Sequence, residues 1–194
     1  RSRTLITMMS VFFAVLLAIL IASLTEGIYG KLIKNAVNFY TGYIQIHKKN
    51  YWDERILDNT IVYKSKEFAP LEADPEIVSI SPRLESFMLA SFNDNTKGCF
   101  VAGVVPEKEA ELISLKERLT QGEFIKNTDT EVLITEGLSN KLHAKLHDTI
   151  ILLGQGYHGA TAAGKYRIKG VLKFSSAEIN ENFIFMPLKQ AQYL

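Results

Sequence analysis

The pattern of apolar and polar positions divides the chain into two unlike parts. Residues 5–24 carry no charge, and their only polar members are Thr7, Ser10 and Ser23. A helix of that length rises about 30 Å, the thickness of the hydrocarbon core of a bilayer. Because backbone groups in lipid must be satisfied within their own segment, the run predicts a transmembrane helix. A cleavable signal peptide fits less well, since its apolar region would be shorter and would end at a small-residue cleavage site.

Small and bulky side chains fall on opposite faces of this predicted helix. The small face consists of four residues spaced by four: Ser10, Ala14, Ala18 and Ala22. The bulky face lies about 200° round the helix and consists of Phe12, Leu16, Leu20 and Leu24. Small side chains let helix backbones approach closely in lipid, so the small face predicts packing against another transmembrane helix. The alternative is that alanine is simply common in such helices.

Beyond the apolar run, the helical spacing of apolar residues continues over residues 26–40 and predicts a stalk that ends at Gly42. Gly27 and Gly30 are weak helix formers and could mark a joint in it. After Gly42 the period changes from 3.6 to 2, which predicts strands. The predicted strands are residues 43–47, 77–80, 86–92, 99–105, 132–135, 149–153, 166–174 and 183–186.

Helices are predicted between these strands at residues 107–119 and 136–146, and from Pro187 onward. Residues 50–76 are polar and loop-like, apart from an apolar patch at 61–63. Runs of strands interrupted by single helices favour an α+β domain over a regular parallel sheet. The sequence therefore predicts one N-terminal transmembrane helix, extended into a stalk and followed by a mixed α+β domain.

Composition and charge narrow the range of functions. The net charge of +1 gives no support for a nucleic-acid partner. All 43 charged residues, 22 basic and 21 acidic, lie outside residues 5–24, where they make up a normal globular proportion. The single cysteine, Cys99, excludes an intrachain disulfide. Its apolar neighbours predict a buried, inert thiol.

Two motifs could suggest chemistry, and neither is complete. Residues 154–159 match the glycine pattern of dinucleotide-binding loops, but an alternating strand follows them instead of a helix, so they predict a hairpin connection. His143 and His147 have the spacing of two metal ligands, but neither the expected glutamate nor a third ligand is present, and solvent-exposed histidines are the better interpretation. We expect no catalytic residue, no cofactor and no metal.

Short local strings carry a resemblance to a known family. They are Arg3-Thr4, Thr41-Gly42-Tyr43-Ile44-Gln45-Ile46-His47, Ser81-Pro82-Arg83-Leu84, Val101-Ala102-Gly103-Val104 before Pro106-Glu107, Gly122, Val132-Leu133-Ile134, His147-Asp148-Thr149-Ile150, Ile168-Lys169-Gly170-Val171, and Phe185-Met186-Pro187-Leu188 with Ala191-Gln192. In number and order, they resemble the N-terminal half of an ABC-transporter permease of the MacB / FtsX / LolC–LolE superfamily. Two residues depart from the family pattern. The family usually has glycine where this chain has His147, and often has histidine where this chain has Tyr43.

The resemblance implies a transmembrane helix and stalk at residues 1–41 and a MacB-like periplasmic core domain at 42–194, with a possible inserted subdomain at 106–165. It also implies further transmembrane helices after Leu194. The N-terminus would be cytoplasmic, in the bacterial inner membrane, and residues after about 25 would be periplasmic.

The partners that the resemblance implies are a cytoplasmic ABC ATPase, a second permease copy or paralogue, membrane lipid, and a lipoprotein or periplasmic protein cargo. The permease would have no catalytic activity of its own and would couple ATP hydrolysis to lipoprotein release or substrate export. The bulky face, Phe12, Leu16, Leu20 and Leu24, would meet lipid or the acyl chains of a lipidated cargo. The alternative is a periplasmic binding or scaffolding domain held by one signal anchor.

Overall fold

The computed structural model describes residues 2–39, 42, 44–54 and 56–194, and the side chains of these except 2, 30–39 and 65. The chain divides into two compact units, Arg1–Ile44 and Gln45–Leu194. In the first unit, helix α1 runs without interruption over Ser2–Phe39. It confirms the predicted long apolar helix and its helical extension as far as Phe39, and neither Gly27 nor Gly30 interrupts it. Gly42 has a φ of +69°, the left-handed conformation that glycine adopts readily after a helix.

The second unit begins with a segment that contains no described strand. A 3-10 turn at Leu57–Asn59 and helix α2 at Ser65–Glu72 are its regular elements. The strands predicted at 43–47 and 77–80 are wrong for residues 44–47 and 77–80, while Tyr43 lies outside the described residues. The physical reason is that their alternating apolar side chains have nothing to cover them: Ile44 is 85% exposed and Val78 fully exposed.

Seven strands follow. They are β1 (Arg83–Phe92), β2 (Asn95–Val104), β3 (Leu119–Gly122), β4 (Val132–Thr135), β5 (Thr149–Gln155), β6 (Thr161–Leu172) and β7 (Phe183–Pro187). Six of them confirm predicted strands, with small changes at the ends. Strand β3 lies where the end of a helix was predicted.

Besides α2, the described part of this unit contains four short helices. They are α3 (Pro106–Leu112), α4 (Glu136–Leu142), α5 (Ala177–Asn180) and α6 (Leu188–Tyr193), with a 3-10 turn at Leu115–Arg118. The sequence predicted neither α2 nor α5. The helix predicted at 107–119 stops early because Ser114 takes a left-handed φ of +51°. The helix predicted at 136–146 is closed by His143, whose φ is +58°.

The strands form one sheet in the order β3-β6-β4-β7-β2-β1-β5, and β5 also pairs with β6. Six of the described strands therefore join into a closed ring, with β3 attached to β6. The pairs β2–β7 and β4–β6 are parallel, and the other pairs are antiparallel. The long strand β6 makes the closure possible, because its first half pairs with β5 and its second half with β3 and β4.

Alternation along the strands gives the sheet two faces. The inner face carries the main core cluster, which includes Met88, Cys99 and Ile150 and is covered by Leu138 and Leu142 of α4. The outer face carries the alternate residues. Helix α3 lies next to the start of β1, where its Glu109 contacts Arg83.

Candidate functional site

Helix α1 holds all eight residues that the sequence singled out for the membrane. The small residues Ser10, Ala14, Ala18 and Ala22 are exposed. On the opposite side the bulky residues Phe12, Leu16, Leu20 and Leu24 are 58%, 40%, 50% and 57% exposed. A shallow groove runs along that bulky side, and its other lining residues are Val15, Ile19 and Ser23. The two sets of side chains thus lie on opposite sides of α1 and all are exposed, while helix packing on one side and lipid or cargo contact on the other stay predictions.

Polar side chains near both ends of the apolar segment are satisfied by the helix itself. The Thr7 hydroxyl donates to the carbonyl oxygens of Arg3 and Thr4, at 2.9 and 3.0 Å. The Thr25 hydroxyl donates to the carbonyl oxygen of Ile21 at 2.7 Å. Such bonds lower the cost of placing a hydroxyl in lipid. By length and composition, the stretch Arg3–Tyr29 could cross a membrane.

A buried charge cluster fixes the chain where it enters the sheet. Glu109 of α3 has no exposed surface, and its carboxylate accepts hydrogen bonds from the Arg83 guanidinium at 2.7 Å and the Ser81 hydroxyl at 2.8 Å. Next to it, the Lys108 ammonium donates to the carbonyl oxygen of Ile80 at 2.8 Å and to Glu72 of α2 at 3.1 Å. Two consecutive residues of α3 therefore hold residues 72–83 against this helix.

A second charge cluster borders a polar cleft of about 400 Å³. The Lys169 ammonium lies 2.6 Å from the Asp129 carboxylate and 3.7 Å from that of Glu131. The hydrogen bond to Asp129 raises the pKa of Lys169. Partial burial would raise the pKa of the Asp129 carboxyl, but hydrogen bonds from Lys169 and the Lys126 backbone N–H lower it overall. Both groups are thus held in their charged forms, the state of a structural ion pair and not of an acid–base catalyst.

The glycine-rich motif forms a hairpin, as predicted. Strands β5 and β6 pair antiparallel across it, and a 3-10 turn at Tyr157–Gly159 forms the tip. The tip contacts the segment before the sheet, because the His158 backbone N–H donates to the Asp58 carboxylate at 3.0 Å. No helix follows whose N-terminus could hold a phosphate, so this loop lacks the geometry of a dinucleotide site.

His143 and His147 do not share a helical face. Helix α4 ends before them, both have left-handed φ values (+58° and +72°), and both side chains are exposed. In the part of the chain that the structure describes, no group of three histidine, cysteine or acidic side chains is placed to hold a metal ion. Cys99 is fully buried, as predicted, and burial raises the pKa of its thiol to about 12. A thiol in that state is a poor nucleophile.

The sequence analysis missed one surface, an apolar area on the outer face of the sheet. The area, hereafter the outer patch, consists of Phe87 and Leu89 of β1, Phe100 of β2, and Ile151 and Leu153 of β5. Each of these side chains is between 42% and 59% exposed. A signal was present in the uninterrupted apolar runs of β1 and β5, because such runs are typical of strands covered on both faces.

Comparison with known proteins identifies the family. A sequence model described as MacB-like periplasmic core domain matches residues 4–194. No curated protein matches the chain significantly. Among solved structures, the extracellular domain of the noncanonic ABC-type transporter YknZ from Gram-positive bacteria is similar, with 12% identity and a TM-score of 0.52 over 68% of this chain and 65% of that chain.

The periplasmic region of MacB from Actinobacillus actinomycetemcomitans is also similar, with 14% identity and a TM-score of 0.50 over 75% of this chain and 64% of that one. The chain thus spans slightly less than two thirds of each structure, and at these identities the likeness concerns the fold. It confirms the predicted order of an apolar helix and a mixed α/β domain. Because the family model covers almost every residue, the chain belongs to the MacB-like periplasmic core domain family.

Proposed function

We propose that this chain is the first membrane helix and the extracytoplasmic domain of an ABC-transporter permease. In this proposal a cytoplasmic ATPase partner moves the membrane helices, and α1 passes the movement to Gln45–Leu194. One observation carries the proposal: α1 is a single helix of 38 residues in a chain of this family. Its length of about 57 Å exceeds the roughly 30 Å of a hydrocarbon core, and a continuous helix can transmit displacement where a flexible linker cannot.

The same proposal assigns a topology and partners. The N-terminus would be cytoplasmic, residues after about 25 would lie outside the bacterial inner membrane, and the permease would act as a dimer with a second copy or a paralogue. The small face of α1 would pack on a neighbouring membrane helix, and its bulky face would meet lipid or the acyl chains of a cargo. The work performed outside the membrane would be lipoprotein release or export of a substrate.

The chain itself would perform no chemistry. The charged clusters are ion pairs, Cys99 is buried in its thiol form, and the glycine-rich loop is a hairpin tip. These observations support a mechanical role, with ATP hydrolysis on the partner.

The direct test inserts seven residues after Tyr29 in the complete permease, assembled with its ATPase in lipid nanodiscs. An insertion of alanine, glutamate and lysine adds about 10 Å of helix and changes its phase by only about 20°. The matched insertion of glycine and serine has the same length but no stiffness. The readout is the ATP-dependent change in spin-label distance between two copies labelled at Thr96→Cys in a Cys99→Ala background.

We expect the native protein and the helical insertion to show the ATP-dependent change, and the flexible insertion to lose it. An equal change with the flexible insertion would show that α1 does not carry the movement. The reading frame beyond Leu194 distinguishes the permease from the alternative, a domain held by one signal anchor. Three further apolar spans of about 20 residues would support the permease, and a stop codon soon after would favour the anchored domain.

A further inference from the structure

The outer patch is a continuous apolar surface that three neighbouring strands build. Phe87 lies directly opposite Phe100 in the β1–β2 pair, with ring centroids 5.5 Å apart, and Leu89 lies opposite Leu153 in the β1–β5 pair. Ile151 lies one step further along β5, opposite Ser91. These side chains all point to the same face because cross-strand partners share a face.

The outer patch is continuous with buried apolar side chains elsewhere on the outer face. From Phe100 the row of rings passes to Phe183 at 5.4 Å and then to Phe185 at 6.0 Å. Phe183 is 8% exposed and Phe185 is fully buried, whereas Phe87 is 59% exposed. The apolar layer of the outer face therefore continues onto β1 and β5, and its side chains are exposed there.

The strands beneath the patch have the sequence of strands that are buried on both faces. Strand β5 reads Ile150, Ile151, Leu152, Leu153, and β1 reads Phe87, Met88, Leu89, Ala90. Near-continuous apolar runs of this kind are typical of sheets with both faces covered, whereas half-exposed antiparallel strands alternate with polar residues. In the neighbouring strand β6, Tyr166 and Ile168 alternate with Arg167 and Lys169 in the usual way.

The size of the outer patch decides which occupant fits. With about 200 Å² for each large apolar side chain when fully exposed, its accessible area is on the order of 400 Å². A stable interface needs about 800 Å² from each partner, so the patch is too small to hold two copies of the chain together permanently. It spans two strand spacings, or about 10 Å, which equals the diameter of one helix. Along the strands, the distance from Phe87 to Ser91 is about 14 Å, the rise of a little over two helical turns.

Charged side chains at the edges of the outer patch indicate which charge a bound partner would carry on each side. Lys165 of β6 lies opposite Ile151 in the β5–β6 pair and is exposed, and no ion pair of its ammonium is found among the described residues. On the far side of the patch, Glu85 of β1 is paired with Arg83 at 3.6 Å. The side of the patch next to β6 is therefore positive, and the side next to the start of β1 is neutralised.

We propose that the outer patch docks one amphipathic helix of a separate extracytoplasmic protein, with an apolar stripe two to three turns long and acidic residues along the flank that faces Lys165. The complex is transient, because the apolar contact is half the size that a permanent interface needs. This surface is independent of the ATP coupling proposed above, so either proposal can fail alone.

The test uses the complete protein in nanodiscs and a fluorescein-labelled helical peptide of 14 residues as the probe. The peptide carries leucines at positions i, i+3, i+4 and i+7 and glutamates along one flank. A second peptide has the same composition in scrambled order, and a third carries lysine in place of glutamate. Fluorescence anisotropy gives each affinity after subtraction of binding to empty nanodiscs.

We expect the patterned peptide to bind in the micromolar range and the scrambled peptide to bind at least about tenfold more weakly. Leu89→Gln and Ile151→Gln should each weaken binding about tenfold. Val78→Gln, which changes a fully exposed apolar side chain outside the sheet, should have no effect. Lys165→Glu should reverse the preference between the glutamate and lysine peptides, and this variant leaves the apolar surface intact.

Equal binding of the patterned and scrambled peptides, or unchanged binding by Leu89→Gln and Ile151→Gln, would overturn the proposal. A concentration-dependent dimer in sedimentation velocity that Ile151→Gln abolishes would also overturn it, because a second copy would then be the occupant. Thermal melting checks that each variant is folded, and since the altered side chains are about half exposed, their melting temperatures should stay within a few degrees of that of the native protein.

Discussion

The Arg83 guanidinium lies 2.7 Å from the carboxylate of Glu109, a side chain that has no exposed surface. The pair joins the first residue of β1 to helix α3, and Arg83 is itself only 12% exposed. Taking two charges out of water is costly, so such a pair contributes little net stability as a whole, but removal of one partner leaves the other charge buried. The pair thus fixes where the chain enters the sheet.

The first prediction concerns this pair. Glu109→Gln should lower the free energy of unfolding by about 2 to 3 kcal/mol, because the largely buried Arg83 charge would lose its close carboxylate partner and keep only the longer contact with Glu85 at 3.6 Å. Urea denaturation followed by circular dichroism measures the change. Glu111→Gln, an exposed change on the same helix, is the control and should alter stability by less than about 0.5 kcal/mol. Equal effects of the two variants would contradict the role of the pair.

The second prediction concerns the pH dependence of the Lys169–Asp129 pair. The pKa of Asp129 is lowered in the folded state, so its stabilising contribution is present above the unfolded value of about 3.9 and is lost as the pH falls through the folded value. The pKa of Lys169 is raised, so its contribution is present below about pH 10.4 and is lost as the pH rises through the folded value.

Asp129→Asn should therefore destabilise the domain by about 1 to 2 kcal/mol at pH 7, and the difference from the native protein should become smaller as the pH falls below about 3.9. Denaturation at a series of pH values measures the difference between native protein and variant. Asp94→Asn, in the exposed turn between β1 and β2, provides the comparison and should show no such pH-dependent difference. A difference for Asp129→Asn that does not change as the pH falls below about 3.9 would be inconsistent with the ion pair.

The third prediction concerns the contact between α6 and β2. Gly103 has no side chain, and a Cβ atom there would overlap the Cβ of Ala191 in α6. Gly103→Ala should push α6 away from the sheet and cost about 1 to 3 kcal/mol. The double variant Gly103→Ala with Ala191→Gly removes the overlap. It should therefore regain the stability of the native protein, except for about 1 kcal/mol that glycine costs in a helix. If the double variant is less stable than Gly103→Ala alone, the contact does not limit the packing.

The fourth prediction concerns Cys99, whose thiol has a pKa of about 12 because it is buried. In the native protein at pH 8 a disulfide reagent should react with it only as fast as the domain opens, and it should react at once in denaturant. An exposed thiol, Thr96→Cys in a Cys99→Ala background, should react in both conditions. Rapid reaction of native Cys99 would show that the core around it is open.

Local patterns predicted most of the elements but not the contacts between them. The alternation of Ile168 with Arg167 and Lys169 identifies β6 without any knowledge of its neighbours, since one face is apolar and the other charged. Strand β3 has only Leu119 as a large apolar residue, and it is a strand because β6 offers a hydrogen-bonding edge. The alternation at Ile44 and Ile46 misled for the opposite reason, because none of the strands in the described part of the chain pairs with it.

Among the candidate sites, too, some follow from local sequence and others depend on contacts between distant residues. The two faces of α1 follow from helical geometry, so the sequence alone places Ala14 and Leu16 on opposite sides. The pairing of Arg83 with Glu109 joins residues 26 positions apart, and no spacing rule predicts it. The outer patch depends on which apolar strand face remains uncovered, and no local pattern in the sequence indicates where the helices pack on the sheet.

The fifth prediction concerns the small face of α1. If Ser10, Ala14, Ala18 and Ala22 pack on a neighbouring membrane helix, each of them changed singly to leucine should separate the two backbones and weaken the assembly. We expect at least one of the four variants to lose about tenfold in transport, measured as complementation of a deletion of the gene. Matched changes on the opposite face, Leu16→Phe and Leu20→Phe, also add volume, and if that face meets lipid as proposed they should transport normally.

Western blotting of the membrane fraction would show that all six variants are inserted in equal amounts, so that a loss of transport reports packing and not expression. The helix itself should tolerate leucine at every one of these positions, since leucine is a strong helix former. A loss confined to the small face therefore has to come from contact with another helix. Normal transport by all four leucine variants would show that this face meets lipid, as any alanine-rich helix surface could.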